Sequence, residues 1–305
     1  MELDPTLTPG DYFGTEADNG SFLWKLGEGE AARVGVPNPD HRARATFSSG
    51  ETPRDGLARV PMLRDRHFVI VRVELPPGAY YPRIARPDTA NPKDALGSFP
   101  GYWQQPDHLV TSLNQLRAFV SMLDAITQTV HPVVENLGAF GGSIRNLLIL
   151  ACTECEAQWR GVLSANGAAS KRPTTDHFVR LCEPMRLREY GVRFRHFPWL
   201  RAVRPFSGWD AAAPTRSLPW YDDYNAAKHD RESNFNKATL GTALSAVAAV
   251  WIMIAAQYGV HGTRTFPDLA EYFEFCDLPK WEFSEMYSYD HWSSDQDEGP
   301  RNYPF

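Results

Sequence analysis

The placement of proline constrains this chain more than any other feature, because proline removes a backbone donor and clashes with the preceding helical turn. Thirteen of the 24 prolines lie in residues 1–106, one in 107–172, six in 173–219 and none in 220–264. Long helices therefore belong after residue 106, and the first hundred residues read as irregular and strand-bearing. Residues 22–26 and 67–75 are the strand candidates there. The second is a β-branched run, His-Phe-Val-Ile-Val-Arg-Val-Glu-Leu, closed by Pro76-Pro77-Gly78. Residues 36–58 are polar and turn-rich, and a proline-studded loop from Tyr80 onward carries Tyr81, Phe99, Tyr102 and Trp103.

Helical periodicity begins after Pro106. Leu109, Leu113, Leu116, Val120, Leu123, Ile126 and Val130 recur every three or four residues, which predicts an amphipathic helix ending before Pro132. A second stripe, from Ile144 through Leu148, Ala151, Cys155 and Trp159 to Val162, predicts a helix over 144–163. Glu154 and Glu156 interrupt it, and either can face the bundle or the solvent. Residues 174–190 predict a short helix split by Pro184, and residues 192–197 alternate as a strand or extended segment. Residues 237–258 are apolar all round, which places that helix at the centre of a bundle, with Gly259 as its stop.

Charge adds a second layer. A net charge of −6 argues against a protein that coats nucleic acid through a global positive field. Locally, Arg186, Arg188, Arg193, Arg195, His196, Arg201 and Arg204 stand against Glu189 alone, with Phe194, Phe197 and Trp199 interleaved. Such a band suits phosphate contact with base stacking, and equally the charged edge of a strand. After Phe266 the balance reverses, with ten acidic residues facing Lys280 and Arg301. The four cysteines include a Cys152-x-x-Cys155 pair inside a predicted helix, which reads as buried thiols. No basic leader precedes an apolar run, and no Walker, Gly-x-Gly-x-x-Gly, Gly-x-Ser-x-Gly or His-Glu-x-x-His motif occurs. The expectation is a cytoplasmic protein with no membrane partner, no cofactor and no metal.

Chemistry concentrates in Trp220-Tyr221-Asp222-Asp223-Tyr224-Asn225-Ala226-Ala227-Lys228-His229-Asp230-Arg231. Ser217 as a cap, Pro219 in the first turn and the acidic pair near the positive dipole end predict a helix starting near Leu218. Tyr221, Asn225, Lys228, His229 and Glu232 then share one face. This could be an ordinary solvated face.

The Tyr-Asn-Ala-Ala-Lys-His-Asp-Arg run, with Trp220 before it and an apolar helix after it, resembles the active-site helix of HEPN domains, helical domains of many prokaryotic toxin and antiphage ribonucleases. Asn225 and His229 match the family's polar residue and histidine, whereas Tyr224 stands where the family has arginine. The resemblance covers roughly residues 105–260. It implies a mainly α (α+β) chain: an irregular N-terminal region over 1–104, an HEPN-like bundle over 105–262 with an extended insert near 191–216, and an acidic extension over 263–305.

The function implied is RNA-directed, in a defence, toxin or stress system. One form is a metal-independent endoribonuclease. In it His229 moves a proton, Lys228 and Arg231 hold phosphate, Asn225 orients and Glu154 fixes the cluster. Tyr221, Tyr224, Arg193, Arg195, Arg201 and Arg204 lie on the substrate side. The other form is a catalytically inactive binding or interaction protein. RNA is the implied partner, and a homodimer is implied because the family's site commonly forms between two copies.

Overall fold

Short alternating runs near the N-terminus pair into an antiparallel sheet. Its strands are β1 (Tyr12–Ala17), β2 (Gly20–Leu26), β3 (Glu30–Arg33), β4 (Arg44–Thr46) and β5 (Phe68–Arg72), in the order β4-β3-β2-β1-β5. The computed structural model describes residues 6–18, 20–34, 43–89, 106–264, 267–288 and 299–305. It is mixed α and β, and it divides into two compact units.

The first unit holds the sheet. Phe13 lies opposite Trp24 on β2 and opposite Arg72 on β5, and one face buries Phe13, Trp24, Leu26, Ala31, Ala45 and Ile70. Trp24 is fully buried, and its indole N–H donates to Thr15 Oγ1 at 2.9 Å. Within residues 36–58, expected to be polar and turn-rich, lie β4 and a short helix, α1 (Pro53–Leu57), whose start is closed by a capping box between Thr52 and Asp55. The opposite face receives Phe283, whose ring lies against Gly14 where a Cβ would fall 2.2 Å away. Buried Arg86 ties the same segment, donating to Glu74 at 2.6 Å and to the Glu285 carbonyl at 2.9 Å. The expected acidic extension is therefore divided: residues 281–301 belong with the sheet, and residues up to Lys280 with the helices.

The second unit is helical. Its long elements are α2 (Pro106–Thr127), α3 (Gly142–Ala165), α4 (Pro219–His229) and α5 (Leu240–Arg264), with a two-stranded ribbon of β6 (Gly191–Phe194) and β7 (Phe273–Asp277). Helix α5 packs mainly on α3 and also on α2 and α4. Every residue from Ala246 to Ala256 is buried, as an all-round apolar helix requires. Each fully buried Val or Ile there contributes about 1.5–3 kcal/mol. By length and hydropathy Leu240–Val260 could cross a membrane, yet 83% of its most apolar stretch is buried inside the protein. Gly259 interrupts α5 with φ 79°, a left-handed conformation that suits glycine, so the regular helix stops there and a further turn follows.

A polar line runs through this apolar unit. Gln158 on α3 donates to Glu154 at 2.8 Å, Gln257 on α5 donates to Gln158 at 3.0 Å, and Arg83 Nε donates to Gln257 at 2.9 Å. Gly161 makes room for Arg83: a Cβ there would sit 2.0 Å from Arg83 Nη1. The ribbon is anchored through Trp251 of α5, which stacks on Phe273 and Phe275 with centroids 5.3 and 5.6 Å apart. Of the aromatic loop, Phe99, Tyr102 and Trp103 lie outside the described residues.

Candidate functional site

Helix α4 begins where its sequence says. Leu218 is the N-cap and Pro219 occupies the first turn, but Ser217 does not cap the helix. Its hydroxyl instead pairs with the Asp210 backbone N–H at 2.9 Å, holding the entry loop. Trp220, Tyr221, Tyr224 and Ala227 form the buried face. Trp220 is locked by its indole N–H donating to the Pro205 carbonyl at 2.9 Å, and Trp159 of α3 packs against Tyr221 with centroids 5.4 Å apart.

That packing aims two phenols at one carboxylate. Tyr221 Oη donates to Glu156 Oε1 at 2.8 Å, and Tyr224 Oη donates to the same oxygen at 3.1 Å. Glu156 Oε2 takes Arg160 Nη2 at 3.2 Å. Lys228, one turn beyond Tyr224, donates from Nζ to Tyr224 Oη at 2.7 Å. Burial raises the pKa of both tyrosines, and the Glu156 charge raises them further, so they stay neutral donors. The hydrogen bond to Tyr224 raises the Lys228 pKa, which holds it as an ammonium.

This overturns the assignment of Glu154. Two residues apart on a helix, Glu154 and Glu156 point about 200° apart, so only one can face α4. That one is Glu156, which sequence reasoning left out of the site together with Arg160. Glu154 is bound by Gln158. The i, i+4 spacing of Glu156 and Arg160 was the available signal.

The expected polar face also ends early. Asp230 has φ −136° and ψ 80°, which closes α4 at His229, and its carboxylate accepts the Ser233 N–H to start a separate turn, Arg231–Asn234. Glu232 is thus off the helix. His229 and Arg231 are exposed and Asn225 is half-buried; among the described residues none of the three makes a side-chain hydrogen bond or ion pair. Arg145 of α3 closes the end of α4 by donating to the Ala227 carbonyl from Nε at 3.3 Å and from Nη2 at 3.2 Å.

The arginine band is mostly occupied. Arg193 pairs with Glu274 at 3.6 Å across the β6–β7 ribbon, Arg204 pairs with Asp277, Arg186 pairs with Glu189 at 3.1 Å, and Arg188 donates to the Trp209 carbonyl at 2.7 Å. The acids read as a separate tail thus neutralise part of the band. Arg195 and Arg201 are exposed, and their side chains find no partner among the described residues. The aromatic members do not form a stacking row. Phe194 and Phe197 are buried against Tyr272, and Trp199 alone is exposed, with its indole N–H donating to the Pro132 carbonyl at 2.6 Å.

No side-chain group suited to hold a metal occurs among the described residues. Cys152 and Cys155 are fully buried, and burial raises both thiols well above their ordinary pKa, which makes them inert. The arrangement can present a fixed ammonium and a surface imidazole to an anionic ligand. No protein-family model, no curated protein and no solved structure matches the chain.

Proposed function

We propose that the chain is an RNA-directed, HEPN-like helical protein of a prokaryotic toxin, antiphage or stress system, and that it binds RNA where α4 ends without cutting it. The observation that carries this reading is the division of the motif. Tyr224, in the arginine's place, is fully buried with its hydroxyl held by Glu156 and Lys228, whereas His229 and Arg231 stand at the surface. A buried neutral phenol brings no positive charge to a phosphorane. Exposed cations with open donors serve phosphate contact.

A second reading is favoured by His229 itself. An exposed imidazole with no partner among the described residues keeps both ring nitrogens open to a substrate. In that reading the protein is a metal-independent endoribonuclease, His229 transfers a proton at the 2′-hydroxyl or leaving oxygen, and Lys228 and Arg231 carry the charge. A homodimer would then set two such helix ends together.

The test combines fluorescence anisotropy of labelled single-stranded RNA with RNA integrity after induced expression, for the parent, His229→Ala and Arg231→Ala. Circular dichroism checks that each variant folds. Binding that weakens in the variants, with intact RNA throughout, supports the binding role. Cleavage by the parent that His229→Ala abolishes moves the assignment to the ribonuclease. A parent that neither binds nor cuts RNA ends the RNA reading.

A further inference from the structure

We infer that Lys228 is a preorganised phosphate-contacting cation of this surface and that Tyr224 and Glu156 are its positioning residues, a chain that fixes the ammonium at the end of α4. The inference rests on the RNA reading and names the group in it that meets the backbone.

Four observations lead there. First, Lys228 is exposed, yet its Nζ is tethered at 2.7 Å to a fully buried hydroxyl, that of Tyr224. A surface lysine ordinarily samples many rotamers, and ordering it on binding costs affinity. Here the ordering is done before a ligand arrives. Second, an ammonium has three donors, and Tyr224 takes one, leaving two for phosphate oxygens. Third, the negative charge behind it is covered. Glu156 already accepts Tyr221, Tyr224 and Arg160, and its side chain is 15% exposed, so it offers little repulsion to an incoming anion. Arg160, with its side chain 54% exposed, supplies the opposite charge beside the carboxylate. Fourth, Asp230, two residues beyond Lys228, is engaged by the Ser233 N–H and the Asn234 side chain. The same tether explains a tyrosine in this position: phenylalanine would fill the space but let the lysine go.

The experiment measures binding of a labelled, mixed-sequence single-stranded RNA by the full chain across a salt series, for the parent, Lys228→Ala and Tyr224→Phe. A lysine that contacts one phosphate contributes about 0.7 to the slope of log affinity against log salt on a single strand. Lys228→Ala is expected to lose that amount. Tyr224→Phe keeps the charge, so it is expected to weaken binding severalfold with the slope retained, a division that general loss of structure does not produce. In parallel, reductive methylation with a carbon-13 label lets the Lys228 amine be titrated by NMR without RNA. Its pKa is expected to fall in Tyr224→Phe, since the hydroxyl that holds the ammonium is gone. If the parent binds RNA but Lys228→Ala keeps the full slope, or if Lys228 titrates identically with and without the Tyr224 hydroxyl, the inference is overturned while the RNA reading stands. If the parent binds no RNA, the RNA reading and the phosphate role fall together.

Discussion

Tyr224 Oη donates to Glu156 Oε1 across 3.1 Å, a bond that joins α4 to α3 from a tyrosine with no solvent exposure. Tyr221 shares the same oxygen, so removing the carboxylate strands two phenolic hydroxyls at once. Glu156→Leu is expected to destabilise the protein by about 2–4 kcal/mol, since a buried unpaired donor costs roughly 1–3 kcal/mol. In the Glu156→Leu background, Tyr221→Phe should cost less than it does in the parent, because the hydroxyl no longer has an acceptor to lose. Urea denaturation of the four proteins in this cycle checks it. Equal costs in both backgrounds would contradict the shared acceptor.

Gly161 and Arg83 give a prediction that changes sign. A methyl at position 161 would fall 2.0 Å from the Arg83 guanidinium, and a flexible side chain yields by swinging away from Gln257. Gly161→Ala should therefore destabilise by about 1–3 kcal/mol through the lost charge-assisted hydrogen bonds. In an Arg83→Ala background the clash is absent and alanine is the better helix former, so the same substitution should stabilise by about 0.5–1 kcal/mol. Thermal unfolding of the single and double variants reads the reversal directly.

Buried thiols predict alkaline weakening. Burial pushes the Cys182 thiol up to about 12 and raises Cys152 and Cys155 well above their ordinary value. The folded state holds protons that the unfolded chain gives up near pH 9, so this stabilisation is present below about pH 9 and is lost as pH rises toward the folded pKa. Each thiol contributes a slope of up to roughly 1.4 kcal/mol per pH unit in that window. Urea midpoints should fall between about pH 9 and pH 11, and Cys182→Ala should flatten the fall. Alkylation under native conditions near neutral pH should label Cys276, the one exposed cysteine of the four, and leave the three buried thiols unmodified.

The ribbon separates two kinds of arginine. Arg193 and Arg204 are paired with Glu274 and Asp277, whereas the side chains of Arg195 and Arg201 find no partner among the described residues. If the band meets RNA, Arg201→Ala should reduce the salt slope of binding by about 0.7, and Arg193→Ala should change it less, because its charge is already offset. Identical slopes for both variants would show that ion pairing in the ribbon does not sort these residues.

Much of the scaffold was legible along the chain, because helical periodicity and proline placement are local. Helix α3 spans Gly142–Ala165 against an expectation of 144–163, and β5 lies inside the β-branched run at 67–75. Strands β1 and β3 were not seen. In β1, Gly14 weakens the strand pattern and is required only because Phe283, far along the chain, sits against it. Strand β7 was hidden for a related reason: Phe273 and Phe275 stand among acids, Glu274 and Asp277, whose partners Arg193 and Arg204 lie more than seventy residues earlier.

The sequence by itself determined that a helix begins near Leu218 and that an apolar central helix lies within residues 237–258; the helices begin at Pro219 and Leu240. It also brought Tyr224, Lys228 and His229 onto adjoining turns. Those outcomes follow from backbone chemistry and side-chain spacing within a few turns. Only the tertiary structure decided which carboxylate meets α4, that Tyr224 is a buried link to Lys228, and that half of the arginine band is already neutralised. The physical reason is that hydrogen bonds and ion pairs depend on distance in space. The choice between Glu154 and Glu156 is a choice of helix rotation about the α3 axis, and packing of Trp159 against Tyr221 sets that rotation.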